Sequence, residues 1–265
     1  MTETNRLITL LTDFGDRDVY VGVMKGVIAS INPRVTVIDL THQIPPQSIS
    51  TARFQLLNAF PYFPGGTVHL AVIDPGVGNC DRKPVAIACR DSYLVGPDNG
   101  LFSGVCQQFP ISQVVELNNS RYWRTQTPST TFHGRDIFAP VAAHLARGVP
   151  LADLGATISQ ESLQTLTEFE TEYGAGFRGQ VQHIDHFGNL ITTLPSEKVP
   201  ANAMICIKQQ RLTLGGTYSD QPKDQLVAII GSHGWLEIAV NQGSAAQKLD
   251  VKVGAAVWLE VLNAP

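Results

Sequence analysis

The chain has 265 residues, 43% of them hydrophobic and 16% charged, with a formal net charge of −4. That length makes one large domain or two smaller ones and buries a core without disulfide or metal staples; its 23 Gly and 16 Pro are too dispersed for a fibrous or disordered class. A mildly acidic balance with no run of Lys or Arg offers nothing to a nucleic-acid backbone or an anionic membrane, so neither is an expected partner.

The opening MTETNRLITLLTDFGD carries only a short apolar run, Leu7 to Leu11, before Asp13. It reads as neither a secretory leader nor a membrane span, and no later segment reaches the roughly 20 apolar residues a span requires. The four cysteines, Cys80, Cys89, Cys106 and Cys206, form no CxxC pair and suit a reduced, cytoplasmic protein.

From the N-terminus, strand-like runs alternate with amphipathic stretches: LITLLTD, VYVGVMKGVIASI, VTVIDLT and TARFQLLNAF. This alternation predicts α/β layering. VHLAVID, VAIAC and YLV continue as short β-branched runs suited to a sheet covered on both faces. DIFAPVAAHLARG reads as a helix, with Ile137, Val141 and Leu145 spaced by four and Gly148 as the stop. The acidic, glycine-ended EFETEYGAG then predicts a boundary, giving an α/β domain over 1–168, a linker over 169–176 and a second domain over 177–265. FRGQVQHID, NLITTL, AMICI, LVAII, WLEIAV and AAVWLEV, separated by turn signals, predict a small β-barrel or sandwich there.

Several polar clusters sit where strands or helices end. Asp13, Asp16 and Asp18 follow the first strand, placed either to hold a ligand off its carboxyl end or to cap the next helix. Asp74 ends another strand and enters a Pro-Gly turn, as a ligand-facing acid or as simple turn chemistry. The glycine spacing matches neither a GxGxxG fingerprint nor a P-loop. His133 precedes the predicted helix as a base, a water-positioning group or a plain loop residue, with Asp136 as a charge on the helix dipole. His183 and Asp185 read as one face of a strand with His186 on the other, a weak metal pattern; Trp235 reads as packing or as an aromatic platform.

Seven collinear blocks, TDFGDRDVYVGVMKGVI, VIDLTHQIPP, FPGGTVHLAVIDPGVG, LVGPDNGLFS, TFHGRDIFAP, IDHFGNLITT and GSHGWLEIAVNQG, span almost the whole chain. Together they resemble the S-adenosyl-L-methionine (SAM) hydroxide adenosyltransferases, relatives of the fluorinases and chlorinases. The resemblance implies a larger N-terminal α/β domain, a small C-terminal β-barrel, and a homotrimer whose sites combine the N-terminal domain of one chain with the C-terminal domain of another.

It further implies that Asp13 holds the ribose hydroxyls, with Asp18 a second acid of the pocket, Phe132 an aromatic lining it and Asn99 at a neighbouring strand end. Asp185, Asn189 and Ser232 match the residues that hold the amino-acid end of the substrate, and Glu237 and Asn241 lie in the same final block. Asp74, Arg82 and His133 match the set that activates water. Relatives usually carry the arginine one residue sooner, so Arg82 and its neighbour Lys83 are both candidates, and His233 stands where an aromatic or arginine is common. The implied reaction is attack of water on the 5′ carbon of SAM, giving adenosine and L-methionine; SAM is the substrate and no cofactor or metal is expected. A halide-dependent adenosyl transferase and a non-catalytic adenosine-binding module are the alternatives.

Overall fold

The first apolar run is a strand, β1 (Leu7–Thr12), five of whose six side chains are buried. It leads into α1 (Tyr20–Ile31), which buries Val21, Met24 and Ile28, spaced three and four apart on one stripe. β2 (Thr36–Thr41), α2 (Ile49–Ala59) and β3 (Val68–Val72) follow, then β4 (Pro84–Cys89), β5 (Ser92–Pro97), α3 (Ser103–Gln108), β6 (Ile111–Glu116), α4 (Ala139–Ala146) and β7 (Ala156–Thr157). The structure, a computed structural model, describes residues 7–166, 171–173 and 176–261, and the chain divides into two compact units between Leu166 and Thr167. Of the expected linker 169–176, the described residues show a short strand, β8 (Thr171–Tyr173), and the start of the next strand; the rest lies outside them.

The seven strands of the first unit form one sheet in the order β2-β1-β3-β5-β4-β6-β7. β2, β1, β3 and β5 are mutually parallel, whereas β4, β6 and β7 are joined by antiparallel pairings, so the sheet is mixed. The reversal comes from a two-residue turn: Cys89 pairs with Ser92, and Arg90 takes φ of 55° between them. Ile8, Leu10, Val68, Leu70 and Val72 project from one face onto Met24 and Ile28 of α1 and onto Val141 and Leu145 of α4. α4 is apolar on nearly all sides because it is buried on nearly all sides; Pro140 occupies its first turn, and Gly148 ends it with φ of 95°.

The second unit is built from β9 (Gly176–Ile184), β10 (Leu190–Pro195), β11 (Ala203–Ile207), β12 (Gln210–Thr213), β13 (Leu226–Ile230), β14 (Trp235–Val240), a short helix α5 (Ala245–Leu249) and β15 (Ala256–Val261). Its strands are ordered β12-β11-β15-β9-β10-β14-β13, all antiparallel. Just beyond β12, Leu214 bridges Ala228 of β13, and the Gly215 N–H donates to the Ala228 carbonyl at 2.8 Å. The two edges of the sheet therefore meet, giving a nearly closed barrel around Val181, Leu190, Ile205, Leu236, Ile238 and Leu259. An α/β domain followed by a β-barrel is the expected fold class.

Candidate active site

The parallel strands β1, β2, β3 and β5 open their carboxyl ends on the same edge of the sheet, where α/β proteins bind ligands. Asp13 follows β1, His42 follows β2, Asp74 lies two residues beyond β3 and Asn99 two beyond β5. A cavity of about 270 Å³ at this edge is lined by Asp13, Phe14, Gln47, Asp74, Phe132 and His133, among others.

Asp74 and Arg82 form a buried ion pair, Arg82 Nη2 to Asp74 Oδ2 at 2.7 Å, with side chains 5% and 6% exposed. The same Nη2 lies 2.7 Å from Nδ1 of His133. A guanidinium only donates, so Nδ1 is the acceptor and the imidazole proton resides on Nε2. Burial, with the Asp13 charge adding to it, raises the Asp74 pKa above the usual carboxylate range although Arg82 opposes the shift. Burial and then the Arg82 charge lower the His133 pKa, so the ring is neutral at pH 7. Asp74 and Arg82 are brought together by a chain of turns: Val77 N–H to Asp74 O at 3.2 Å, Asn79 to Gly76 at 3.0 Å and Arg82 to Asn79 at 3.3 Å. Gly78, at φ of 83°, lies so close to Thr130 that a Cβ there would stand 2.4 Å from its carbonyl oxygen; the Asp74 loop and the His133 loop touch at this point. Arg82, and not Lys83, reaches the acid; the Lys83 carbonyl instead accepts the Asp98 N–H.

His133 leads into a single π turn, Gly134–Phe138, ahead of α4. The expected helix over this segment is therefore α-helical only from Ala139, and the wider turn is the kind of helical irregularity that clusters at functional sites. Asp136 is fully buried and is no mere dipole charge. It accepts from Arg124 Nε at 2.5 Å, from Arg135 Nε and Nη2 at 2.7 Å each, and from the Ser129 N–H at 2.9 Å. Burial alone would raise its pKa, but these donors together hold it far below the ordinary value. Phe132 packs edge-on against Tyr20 (5.2 Å) and Phe14 (6.0 Å), with the Arg135 guanidinium 5.2 Å from its ring centre.

The acids after β1 do not cap α1: its N-cap is Val19, with no side-chain hydrogen bond. Asp13 Oδ2 accepts the Gln47 N–H at 2.8 Å, Asp16 accepts from the Gln43 amide, and Asp18 is exposed. Asn99 donates to the Ile73 carbonyl at 2.8 Å and accepts the Leu101 N–H, so its side chain pins the backbone that carries Asp74.

In the second unit, β9 ends at Ile184, so Asp185 and His186 lie in the following turn and not on the strand the sequence predicted. Asp185 is oriented by that turn: Oδ1 accepts the Phe187 N–H at 2.9 Å and the Asn189 N–H at 2.8 Å, and Oδ2 accepts the Asn189 side-chain amide at 2.9 Å with a lone pair to spare. Gly188, at φ of 85°, completes it. Among the described residues no group of three or more His, Cys, Asp and Glu is arranged to hold a metal ion. Ser232 is exposed in the β13–β14 turn, and Asn241 donates to the Gln221 carbonyl at 2.7 Å. Glu237 is buried between the Tyr218 hydroxyl at 2.8 Å and His233 Nε2 at 3.1 Å. His233 Nδ1 accepts the Trp235 N–H at 3.1 Å, so its proton too sits on Nε2, directed at Glu237. Sequence reasoning missed Tyr218, Gln47, Tyr20 and the Thr12–His42 contact.

Matches to two family models cover most of both units: the SAM hydroxide adenosyltransferase N-terminal domain over residues 8–155 and its C-terminal domain over 179–258. The chain belongs to the SAM hydroxide adenosyltransferase family. It is 42% identical over 260 residues to the (R)-S-adenosyl-L-methionine hydrolase of Thermus thermophilus, covering 96% of this chain and 99% of that one. A crystal structure of a conserved protein from Thermotoga maritima superposes with a TM-score of 0.88 at 36% identity, covering 95% of this chain and 99% of that one. A more distant relative, a fluorinase from Actinoplanes sp., is 27% identical over 290 residues, covering 96% of this chain and 97% of that one.

Proposed function

We propose that this family member hydrolyses SAM to adenosine and L-methionine, with Asp74, Arg82 and His133 acting on the attacking water. The observation that carries the reading is that Asp74 and His133, joined through the buried Arg82, line one cavity with Asp13. Water attacks the 5′ carbon as the carbon–sulfur bond breaks; the thioether leaves neutral, so no general acid is required. Asp74 takes the proton that the water loses. Its raised pKa brings it nearer the working pH, where a carboxylate is a better base. Arg82 holds Asp74 in place and fixes the His133 tautomer, leaving Nε2–H as a donor toward developing hydroxide.

The charge count favours water over halide. Asp13 and Asp74 line the cavity with only Arg82, behind Asp74, to offset them, and His133 is neutral, so the site attracts a sulfonium and repels a small anion. Asp13 then serves the ribose hydroxyls with Phe132 along the nucleoside, Asp18 and Asn99 remaining peripheral to them. Asp185, Asn189, Ser232, Glu237 and Asn241 serve the amino-acid end, contributed by a neighbouring chain in a homotrimer with domains bounded near 1–168 and 177–265; sedimentation of the purified protein tests the assembly. A cytoplasmic location suits this substrate, and no helix among the described residues is long and apolar enough to cross a membrane.

The deciding experiment is turnover of SAM in H₂¹⁸O, with and without added fluoride or chloride. Attack at carbon places the label in the 5′ hydroxyl of adenosine, and Asp74→Asn abolishes its formation with the fold intact. Unlabelled adenosine, a 5′-halo nucleoside, or full activity of Asp74→Asn would each refute the assignment, and binding without turnover would leave the non-catalytic module.

A further inference from the structure

We infer that His42 is a positioning residue for Asp13, acting through a buried relay that links β2 to the Thr12–Asp16 turn. This rests on the reading of Asp13 as the ribose-binding acid. Thr12 Oγ1 lies 2.8 Å from His42 Nδ1, and His42 Nε2 lies 3.1 Å from Asp39 Oδ1. Asp39 is itself held by Lys25 Nζ at 2.5 Å. Thr12 is fully buried and His42 nearly so, while Asp39 and Lys25 reach the surface.

A hydroxyl, an imidazole and a carboxylate in line have the composition of a nucleophilic triad. The burial of Thr12 removes that function: no substrate atom reaches a hydroxyl with no exposed surface. Directionality gives the relay another one. His42 Nε2 faces the Asp39 carboxylate without a directed hydrogen bond to it; a proton on Nε2 is the tautomer that the neighbouring negative charge favours, and it leaves Nδ1 to accept from the Thr12 hydroxyl. The Thr12 oxygen then has its lone pairs free for the Phe14 N–H, which approaches at 3.3 Å. Two backbone bonds from the same segment close the clamp: the Gly15 N–H donates to the His42 carbonyl at 2.8 Å, and the Gln47 N–H donates to Asp13 Oδ2 at 2.8 Å. Asp13 is thus flanked by backbone groups fastened to 42–47 on both sides, and the orientation of its carboxylate in the cavity depends on His42 presenting an acceptor at Nδ1.

The test compares His42→Leu, His42→Asn, Thr12→Val and Asp13→Asn with the parent enzyme, reading kcat and KM for SAM and the inhibition constants of adenosine and methionine. Asn places an amide oxygen near the position of Nδ1. The relay requires that His42→Leu raise KM and the adenosine constant together, by about tenfold, with kcat within about twofold and the methionine constant unchanged, as removal of uniform binding demands. It also requires that His42→Asn recover most of the loss. If His42→Leu fails to fold, Thr12→Val carries the same expectation. Unchanged adenosine affinity in the folded variants, or a fall in kcat alone, overturns the relay, as does an Asn variant no better than Leu. Should Asp13→Asn leave adenosine affinity unchanged, it is the reading of Asp13 that fails; an effect of Asp13→Asn without one from His42 or Thr12 condemns the relay only.

Discussion

Replacing Arg82 by methionine removes the cation while keeping much of the side-chain volume, and strands Asp74 as a carboxylate 5% exposed. The stranded acid has two routes, to remain ionised in a poor dielectric or to take a proton. Starting from an unfolded-state pKa of about 3.9, protonation at pH 7 costs about 4 kcal/mol, within the roughly 3–5 kcal/mol measured when one member of a buried pair is deleted. At pH 5 the same protonation costs only about 1.5 kcal/mol. The sign follows from linkage: the folded-state pKa of Asp74 lies above the unfolded value, so stability is retained at low pH and lost as pH rises toward the folded-state value. Loss of the Arg82 charge also releases one of the influences that lower the His133 pKa, which acts in the same direction. Urea titrations of parent and Arg82→Met, followed by fluorescence with Trp123 reporting on the first unit, are expected to show a larger deficit at pH 7 than at pH 5, by at most about 2.5 kcal/mol because the Asp74 pKa is already raised in the parent. Equal deficits at the two pH values would refute the buried-pair reasoning, because an exposed or solvated Asp74 has no need to protonate.

Gly78→Ala forces a Cβ to within 2.4 Å of the Thr130 carbonyl at a positive φ. It is expected to lower kcat at least tenfold for a stability loss of about 1–2 kcal/mol, since the contact it opens lies between the Asp74 and His133 loops; steady-state kinetics beside thermal melts check the disproportion. Asp136→Asn is expected to cost about 2 kcal/mol at pH 7, the worth of charge-assisted hydrogen bonds whose arginine partners stay partly solvated. Because the folded-state pKa of Asp136 is depressed, its contribution is present above about pH 4 and fades as the solution becomes more acid, so the gap between parent and variant should close there in acid-unfolding curves.

The strands were legible where a continuous apolar run met a turn signal, as with AMICI and LVAII, whose ends coincide with β11 and β13. The antiparallel half of the first sheet was less so. ISQVVE carries few apolar residues at its start, and Ala156–Thr157 is too short to have a period, so β6 and β7 take their structure from the neighbours they pair with. Asp185 shows the limit of local pattern: His-x-Asp has the spacing of one strand face, but the side chain of Asp185 outcompetes the ladder by bonding its own backbone two and four residues on. Asp74 and Arg82 could be nominated by likeness to a family, yet their contact depends on three successive turns no periodicity encodes. The Thr12–His42 contact is set by the register of β1 on β2, which the chain reveals only when folded.

Arg82 stands between the two titrating groups of the cavity, touching both Asp74 and His133 through a single nitrogen. A guanidinium does not surrender its protons at any pH an enzyme meets, so it separates the acid from the imidazole as an insulator separates two conductors. On the role proposed for Asp74, the hydron taken from water has no path through Arg82 to the imidazole, and resetting of the base is tied to the return of bulk solvent as the nucleoside leaves.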